Sequence, residues 1–496
     1  MKNIRKIAAF LIACLMALTF AACANGGNGG DDSSTTARVP DNQGGSGDRL
    51  SANDGIPKQS FKGYKYRINC MDNQKWELTA DDSSNYVDAA VRNRNFTIEE
   101  KYDIEIIPMV TTGYSSGAGQ LIHEQYITTS LSAGDQEFDT VLMCAWRAGT
   151  IIVQGLFKDL NTVGPLNFEQ PWWNSYCNST FGLDGQLYAA VGDMSLTTLA
   201  LAHAYLYNKK LAEDNHLEDL YQVVERGDWT IEYVKQITTN LYVDQNHDDT
   251  RDTEDLYGFA AGVVTNLDAY PASFGVDLTA KNAYGELSLA TNTEKLQLAY
   301  EKVSDLFFNS NGSYVSLLDS EYSDRYKMFS AGNVMFIDGT VNVLANYGKD
   351  MEDPYGVLPY PKLSADQKEY YSNAHDNFSV LCMAYNVEDT DFVGKVTESL
   401  TCESYRTVVT AYYDITLKDR YTDDKNDELM LDLIMKGRNY DISVLFAPTL
   451  NRLYYLFRDC VRNHKTVASA LGESSFSWEA SLLKLHQTYA KLAAGQ

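Results

Sequence analysis

From Tyr66 onward, apolar positions fall into two alternating patterns. Tyr66–Met71 and Ile104–Val110 are short apolar runs that read as strands, and Phe138–Cys144 reads as a buried strand. Between them, Tyr86–Lys101 and Gln120–Ser132 carry apolar residues at the spacing of amphipathic helices. Strand, helix, strand, helix, strand predicts a mostly parallel sheet covered on both faces. Ligands of such sheets gather beyond the carboxyl ends of the strands. The residues just past those ends are Asp72 and Trp76 after the first strand, and Trp146 and Arg147 after the third.

The N-terminal pattern is different. Lys2, Arg5 and Lys6 precede the apolar run Ile7–Phe20, which is shorter than the roughly 20 residues of a membrane-spanning helix and reads as an export signal. It ends in Phe20-Ala21-Ala22-Cys23, which resembles the lipobox of bacterial lipoproteins, with Phe where Leu is usual. That resemblance implies cleavage before Cys23 and acylation there, by diacylglycerol and fatty acids such as palmitate, so that residues 1–22 are a discarded leader. Two or more acyl chains anchor stably where one does not, which predicts a protein tethered to the extracellular face of the cell membrane. From Ala24 to about Ser60 the chain is rich in Gly, Ser, Asp and Thr and predicts a flexible leash, so residues 23–60 read as anchor and linker.

Composition narrows the function. The 496 residues carry 41 Lys plus Arg against 67 Asp plus Glu, a net charge of −26, which argues against nucleic acid as a partner. Six cysteines remain beyond Cys23, at 70, 144, 177, 382, 402 and 460, with no C-x-x-C among them; they read as free thiols, with Cys70, Cys144 and Cys382 as small buried hydrophobes inside apolar strand-like runs. With 34 Tyr and 6 Trp, the chain is well supplied with flat faces for sugar C–H surfaces.

Several motifs, in order, resemble the extracellular solute-binding proteins that feed bacterial ABC importers, in particular the sugar-type family 1. Gly155-Leu156-Phe157-Lys158-Asp159-Leu160 follows the buried strand as in that family. Asp184-Gly185-Gln186-Leu187-Tyr188-Ala189 is similar to its "D-G-K-x-Y" hairpin, and Tyr207-Asn208-Lys209 to its "Y-N-K" strand end. Asp228-Trp229-Thr230, Phe329–Phe336 and Gly356-Val357-Leu358-Pro359-Tyr360-Pro361-Lys362 resemble later family segments. The resemblance implies an α/β fold of the periplasmic-binding-protein-like type II class, with two α/β lobes joined by a hinge and a ligand cleft between them. It places the first lobe at 61–192 and 356–403 and the second at 200–352 and 405–496. It also implies a monomer that captures a solute, without chemistry, and passes it to the permease subunits of an importer.

Within that frame, Trp76 and Trp146 are the candidate stacking platforms. Asp193, Asp338 and His375, each beside a strand or a lobe crossing, are the candidate hydrogen-bonding groups. An Asp before Gly, as in Asp338-Gly339, is as readily a turn former, and Trp172-Trp173 reads equally well as packing. Aromatic content favours an oligosaccharide, although a peptide would use the same surfaces.

Two further motifs carry chemistry of their own. Asp244, Asn246, Asp248, Asp252 and Asp255 stand at positions 1, 3, 5, 9 and 12 of an acidic loop, with the Thr250 carbonyl at position 7, the oxygen spacing of a calcium site. Asp249 replaces the usual Gly and Asp255 the usual Glu, and a solvated acidic loop is the plainer alternative. Similar loops in relatives of the family hold a structural ion. Gly113-Tyr114-Ser115-Ser116-Gly117 spells G-x-S-x-G after a strand and before a helix, which keeps a secreted serine esterase in view. A glycosidase needs only two suitably spaced carboxylates, which 67 acidic residues supply without specificity.

Overall fold

The computed structural model describes residues 49–80, 85–113, 118–282, 284–290, 293–318, 323–348, 351–413 and 425–495, all within one unit, Pro40–Gln496. The leader, Cys23 and most of the expected leash lie outside these residues. From Asp54 onward the residues expected to belong to the leash are fastened to the body. The Asp54 carboxylate accepts from Lys101 Nζ at 2.6 Å and turns the backbone by accepting from Ile56 N at 2.9 Å.

The first sheet builds as its apolar runs predict. β1 (Tyr64–Met71), α1 (Tyr86–Tyr102), β2 (Ile104–Thr111), α2 (Gly119–Ala133) and β3 (Thr140–Cys144) each lie within two residues of the expected limits. Asn85 caps α1 by accepting from Asp88 N, and Asp103, at φ +50°, ends it. β1 pairs in parallel with β2 over its whole length and with β3 on the other side. β3 is buried at every residue, as a strand covered on both faces must be. It runs straight into α3 (Ala145–Ile152).

A first crossing, through the short α4 (Thr197–Ala200), leads to β4 (His203–Asn208) in a second sheet. β5 (Tyr242–Val243), β6 (Leu256–Gly262), the hairpin β7 (Thr279–Lys281) and β8 (Leu287–Leu289), α5 (Thr293–Phe308), β9 (Ser313–Ser316), β10 (Val334–Thr340) and β11 (Tyr355–Leu358) follow. The order is β11-β4-β10-β6-β5, with β9 beside β6. The chain then returns to the first sheet as β12 (Ser379–Met383), antiparallel to β3. α6 (Thr390–Glu403), a π-helical turn (Ser404–Val408), α7 (Lys425–Lys436), α8 (Leu456–Arg462) and α9 (Val467–Ala493) complete it.

Two lobe boundaries move. The strand expected to open the first lobe's second segment at 356 is β11, which pairs antiparallel with β4 of the second sheet. Trp229 Nε1 also donates to Pro359 O at 2.8 Å, and Thr230 pairs with Lys362, so the chain stays with the second lobe through Lys362. Conversely, the turn at Ser404–Val408, expected to begin the second lobe, packs on α1, with Arg94 Nη1 donating to Ser404 Oγ at 3.1 Å. α9 touches both lobes: it packs on β8 and α5 and receives Gln186 Nε2 at Tyr489 O, 3.1 Å away.

The two crossings run side by side as an antiparallel ribbon. Ala190 bridges Leu381, and Ala202 bridges Ala374. His203 N donates to Asn373 O and His375 N to Leu201 O, each at 2.9 Å.

Candidate functional site

β1 and β3 end side by side, and the returning crossing passes across both ends. β1 runs into a 3-10 turn, Asp72–Glu77, that carries Gln74 and Trp76. β3 delivers Trp146 and Arg147 in the first turn of α3. Asn377, on the returning crossing, binds them together. Its Oδ1 accepts from Trp146 Nε1 at 3.0 Å, Gln120 Nε2 at 3.2 Å and Cys144 Sγ at 3.2 Å, and its backbone carbonyl accepts from Gln74 Nε2 at 2.7 Å. Three donors on one oxygen settle which end of the amide is which. The Arg147 guanidinium lies 4.0 Å from the centre of the Trp146 ring and is held by Glu124 Oε2 at 3.0 Å.

On the other side of the crossing, His375 stacks on His203, with centroids 6.4 Å apart, and its Nδ1 lies 3.0 Å from Asp376 Oδ1. Asp376 accepts from Tyr455 OH at 3.0 Å and lies 3.6 Å from Arg458, which also grips Asp268 with two nitrogens. Burial alone would raise the Asp376 carboxyl, but His375, Arg458 and Tyr455 outweigh it and bring it down to about 2. Burial would likewise lower Arg458, and Asp268 and Asp376 outweigh that and keep it charged. His203, enclosed and next to His375, is lowered to about 3 and stays neutral.

Of the five expected ligand residues, Trp146 and His375 therefore meet around one crossing, joined through Asn377, which lies two residues after His375 and accepts from Trp146. Trp76 shares its turn with Gln74, and its ring lies 5.8 Å from Tyr412. Asp338 is placed differently from expectation. It is fully enclosed within β10, with Asn266 Nδ2 donating to its carboxylate and Arg325 Nε donating to its backbone carbonyl at 3.0 Å while lying 3.3 Å from Oδ1, and burial raises it to about 6. Asp193 is buried at the start of the first crossing, its N–H on Trp172 O at 2.9 Å. Trp172 and Trp173 form packing, both indole N–H groups donating to Glu398 at 2.9 Å.

The residues that sequence reasoning passed over are Asn377, Gln74, Gln120, Glu124 and Arg458. The only local signal was the polar triplet His375-Asp376-Asn377 before an apolar strand. Chemically, the cluster offers an indole face, amides and paired charges, which suit non-covalent recognition of hydroxyl-bearing molecules. The one thiol in it, Cys144, is held well above its ordinary pKa by burial, which disfavours the thiolate. Of the G-x-S-x-G motif only Gly113 lies among the described residues, its N–H on Asp72 Oδ2 at 3.0 Å. A cavity of about 590 Å3 opens elsewhere, lined by Arg226, Lys362, Tyr370 and Leu433 among others, and includes none of the five expected ligand residues.

The acidic loop joins β5 to β6. Asp244 accepts from His247 N at 2.7 Å and Asp249 N at 3.0 Å, Asn246 from Asp248 N at 3.1 Å, Asp248 from Thr250 N at 2.7 Å and Asp252 from Glu254 N at 2.8 Å. Asp249 takes φ +59°, the left-handed turn that position 6 of a calcium loop requires. Asp255 is enclosed and accepts from Tyr242 OH at 3.0 Å. Among the described residues, no three His, Cys, Asp or Glu side chains converge as ligands of one ion.

No family model and no curated protein matches this chain. Solved structures do. UspC of M. tuberculosis is 14% identical, with 84% of this chain and 100% of that one covered at a TM-score of 0.54. A cyclo/maltodextrin-binding protein complexed with maltotetraose is 15% identical, with 87% and 97% covered and a TM-score of 0.53. An ABC substrate-binding protein of Listeria monocytogenes in complex with cycloalternan is 11% identical, with 86% and 99% covered and a TM-score of 0.52. At such identities the likeness establishes the fold, which is the two-lobed α/β architecture of these binding proteins.

Proposed function

We propose that this chain is an extracellular solute-binding receptor that captures an oligosaccharide between its lobes and delivers it to the permease subunits of an ABC importer. The observation that carries this reading is the Trp146 platform. Its indole is fixed by Asn377 and backed by Arg147, at the point where two strand ends meet a lobe crossing. Similarity of fold to proteins solved with maltotetraose and cycloalternan supports a glycan over a small anion, as does the strongly acidic balance of the chain. Trp146 and Trp76 are assigned the sugar faces, and His375, Gln120 and the free amino end of Asn377 the hydroxyls. Asp338, wholly enclosed, supports the sheet from within.

A thermal-shift screen of maltotriose, maltotetraose and cycloalternan beside tri- and tetrapeptides tests this. A rise with at least one glycan and none with the peptides is expected. A chain indifferent to every glycan that hydrolyses a model ester, and stops doing so as Ser115→Ala, would be the esterase instead.

Two accessory proposals complete the reading. Cys23 carries the lipid that holds the receptor, as a monomer, at the outer face of the membrane; palmitate labelling that survives Cys23→Ala would refute it. The 244–255 loop takes up calcium as a structural ion, on Asp244, Asn246, Asp248, the Thr250 carbonyl, Asp252 and Asp255. What supports it is the succession of side-chain-to-amide turns and the left-handed Asp249.

A further inference from the structure

Glu77 stands outside the ligand site and is completely enclosed at the end of the 3-10 turn after β1. Its partners belong to neither its own turn nor its own strand. Oε1 accepts from Thr197 N at 2.7 Å and Thr197 Oγ1 at 3.0 Å, on the first crossing. Oε2 accepts from Ser379 Oγ at 2.6 Å, on the second. The two crossings are also tied to each other there, since Ser379 N donates to Thr197 Oγ1 at 2.8 Å and Ser195 Oγ to Ser379 O. One carboxylate thus gathers these two crossings and pins them to the first lobe.

Beyond that clamp, the ribbon is held to the second lobe by different groups. Asn373 Oδ1 meets His203 Nδ1 at 2.8 Å, and Asn373 Nδ2 donates to Asp268 O at 3.1 Å. Between the two sets of ties run 198–202 and 374–378, the latter with Asp376 held by Tyr455 and Arg458 and Asn377 by Trp146 and Gln120. Rotation of one lobe against the other bends both of these stretches, in the manner of a hinge.

We propose that Glu77 is a hinge latch, an ionised carboxylate that fixes the lobe-one end of both crossings and so sets how freely the lobes open. Only the ionised form has acceptor capacity for all three donors without competition from a hydrogen of its own. The charged and titratable groups around it are Arg94 of α1, whose Nη2 donates to Glu77 O at 3.0 Å, and Cys70 of β1, with the hydroxyls of Thr197 and Ser379 completing its surroundings. Burial pushes the Glu77 carboxyl up to about 7, against the pull of Ser379, Thr197 and Arg94, and pushes the Cys70 thiol up to about 12, so only the carboxylate changes charge near neutrality. The latch is therefore closed above neutral pH and loosened below it.

This inference rests on the two-lobed reading and not on the identity of any ligand. It is tested on ligand-free protein by spin labels on Arg92→Cys of α1 and Glu294→Cys of α5, both exposed positions in different lobes. The interlobe distance distribution is expected to be narrower at pH 8.5 than at pH 5.5. Glu77→Gln should show the broad distribution at both values, and Ser379→Ala should broaden it at pH 8.5 by a smaller amount. Circular dichroism melts establish that each variant is folded, and Ser379→Ala decides the matter alone if Glu77→Gln does not fold. Distributions that are the same at both pH values and in the folded variants would overturn the latch, whether or not the glycan screen succeeds.

Discussion

The cost of a single buried group decides several properties of this molecule. Glu398 accepts both indole N–H groups of Trp172 and Trp173, and burial raises its carboxyl to about 7. Its folded value lies above its ordinary value of 4.5, so its contribution to stability is complete below about pH 4.5 and is lost as pH rises toward 7. Glu77 acts in the same direction. Asp376, lowered to about 2, works in a separate window and withdraws its support only as pH falls below its ordinary value of 3.8. The melting temperature is therefore expected to fall between pH 5 and pH 8, with a shallower slope in Glu398→Gln. That variant also sets an amide N–H against an indole N–H, at a cost of about 1–3 kcal/mol; a melting temperature and slope equal to wild type would contradict the assignment. The six body cysteines are all buried, and burial raises Cys70 and Cys402 to about 12 and Cys460 to about 11. Residues 49–496 should show no fast thiol reaction when native and six thiols after denaturation; fewer than six would mean a disulfide. At this scale the place of Trp146 at the end of β3 was legible, because an aromatic just past a buried strand is a local pattern. Asn377 was not legible, because its role arises from donors at 120, 144 and 146 that only the fold brings together.

Elements of the first sheet were legible for the same local reason: unbroken apolar runs bounded by polar residues fix strand type and limits. Their allocation to lobes was not. Nothing in Tyr355-Gly356-Val357-Leu358 tells which sheet it joins, since its partner β4 lies about 150 residues earlier. Contact between elements also sets which substitutions fail. Gly149 of α3 donates its N–H to Leu445 O at 2.9 Å, and a Cβ there would sit 2.4 Å from that oxygen and 2.5 Å from Phe446 Cδ1. Gly149→Ala is expected to cost about 1–3 kcal/mol, read as a lower midpoint in denaturant; an unchanged midpoint would mean that the 442–450 segment yields. The acidic loop belongs to this scale as well. Six acidic side chains between 244 and 255 repel one another when no cation is bound, so calcium should raise the melting temperature and chelator should lower it. A melting point indifferent to both would leave a solvated acidic loop.

For the whole molecule, two sheets joined by a laced ribbon of crossings make the frame on which the proposed hinge rests. The fold class was foreseen because the motif order from Phe138 to Lys362 spans both lobes and resembles that of sugar-type binding proteins. Similarity to solved structures of such proteins agrees with it. Under the proposed function, the choice of ligand falls to residues assembled from segments far apart in the chain, such as Trp146 and Asn377, and no single stretch of sequence encodes it. Isothermal titration of residues 49–496 with the glycan that gives the largest thermal shift, beside Trp146→Ala, is the most direct test of capture at the strand ends. Saturable one-to-one binding is predicted, with the loss of the indole weakening it by about 2 kcal/mol, roughly thirtyfold. Equal affinity in the two proteins, or no binding of any glycan by the wild type, would contradict it.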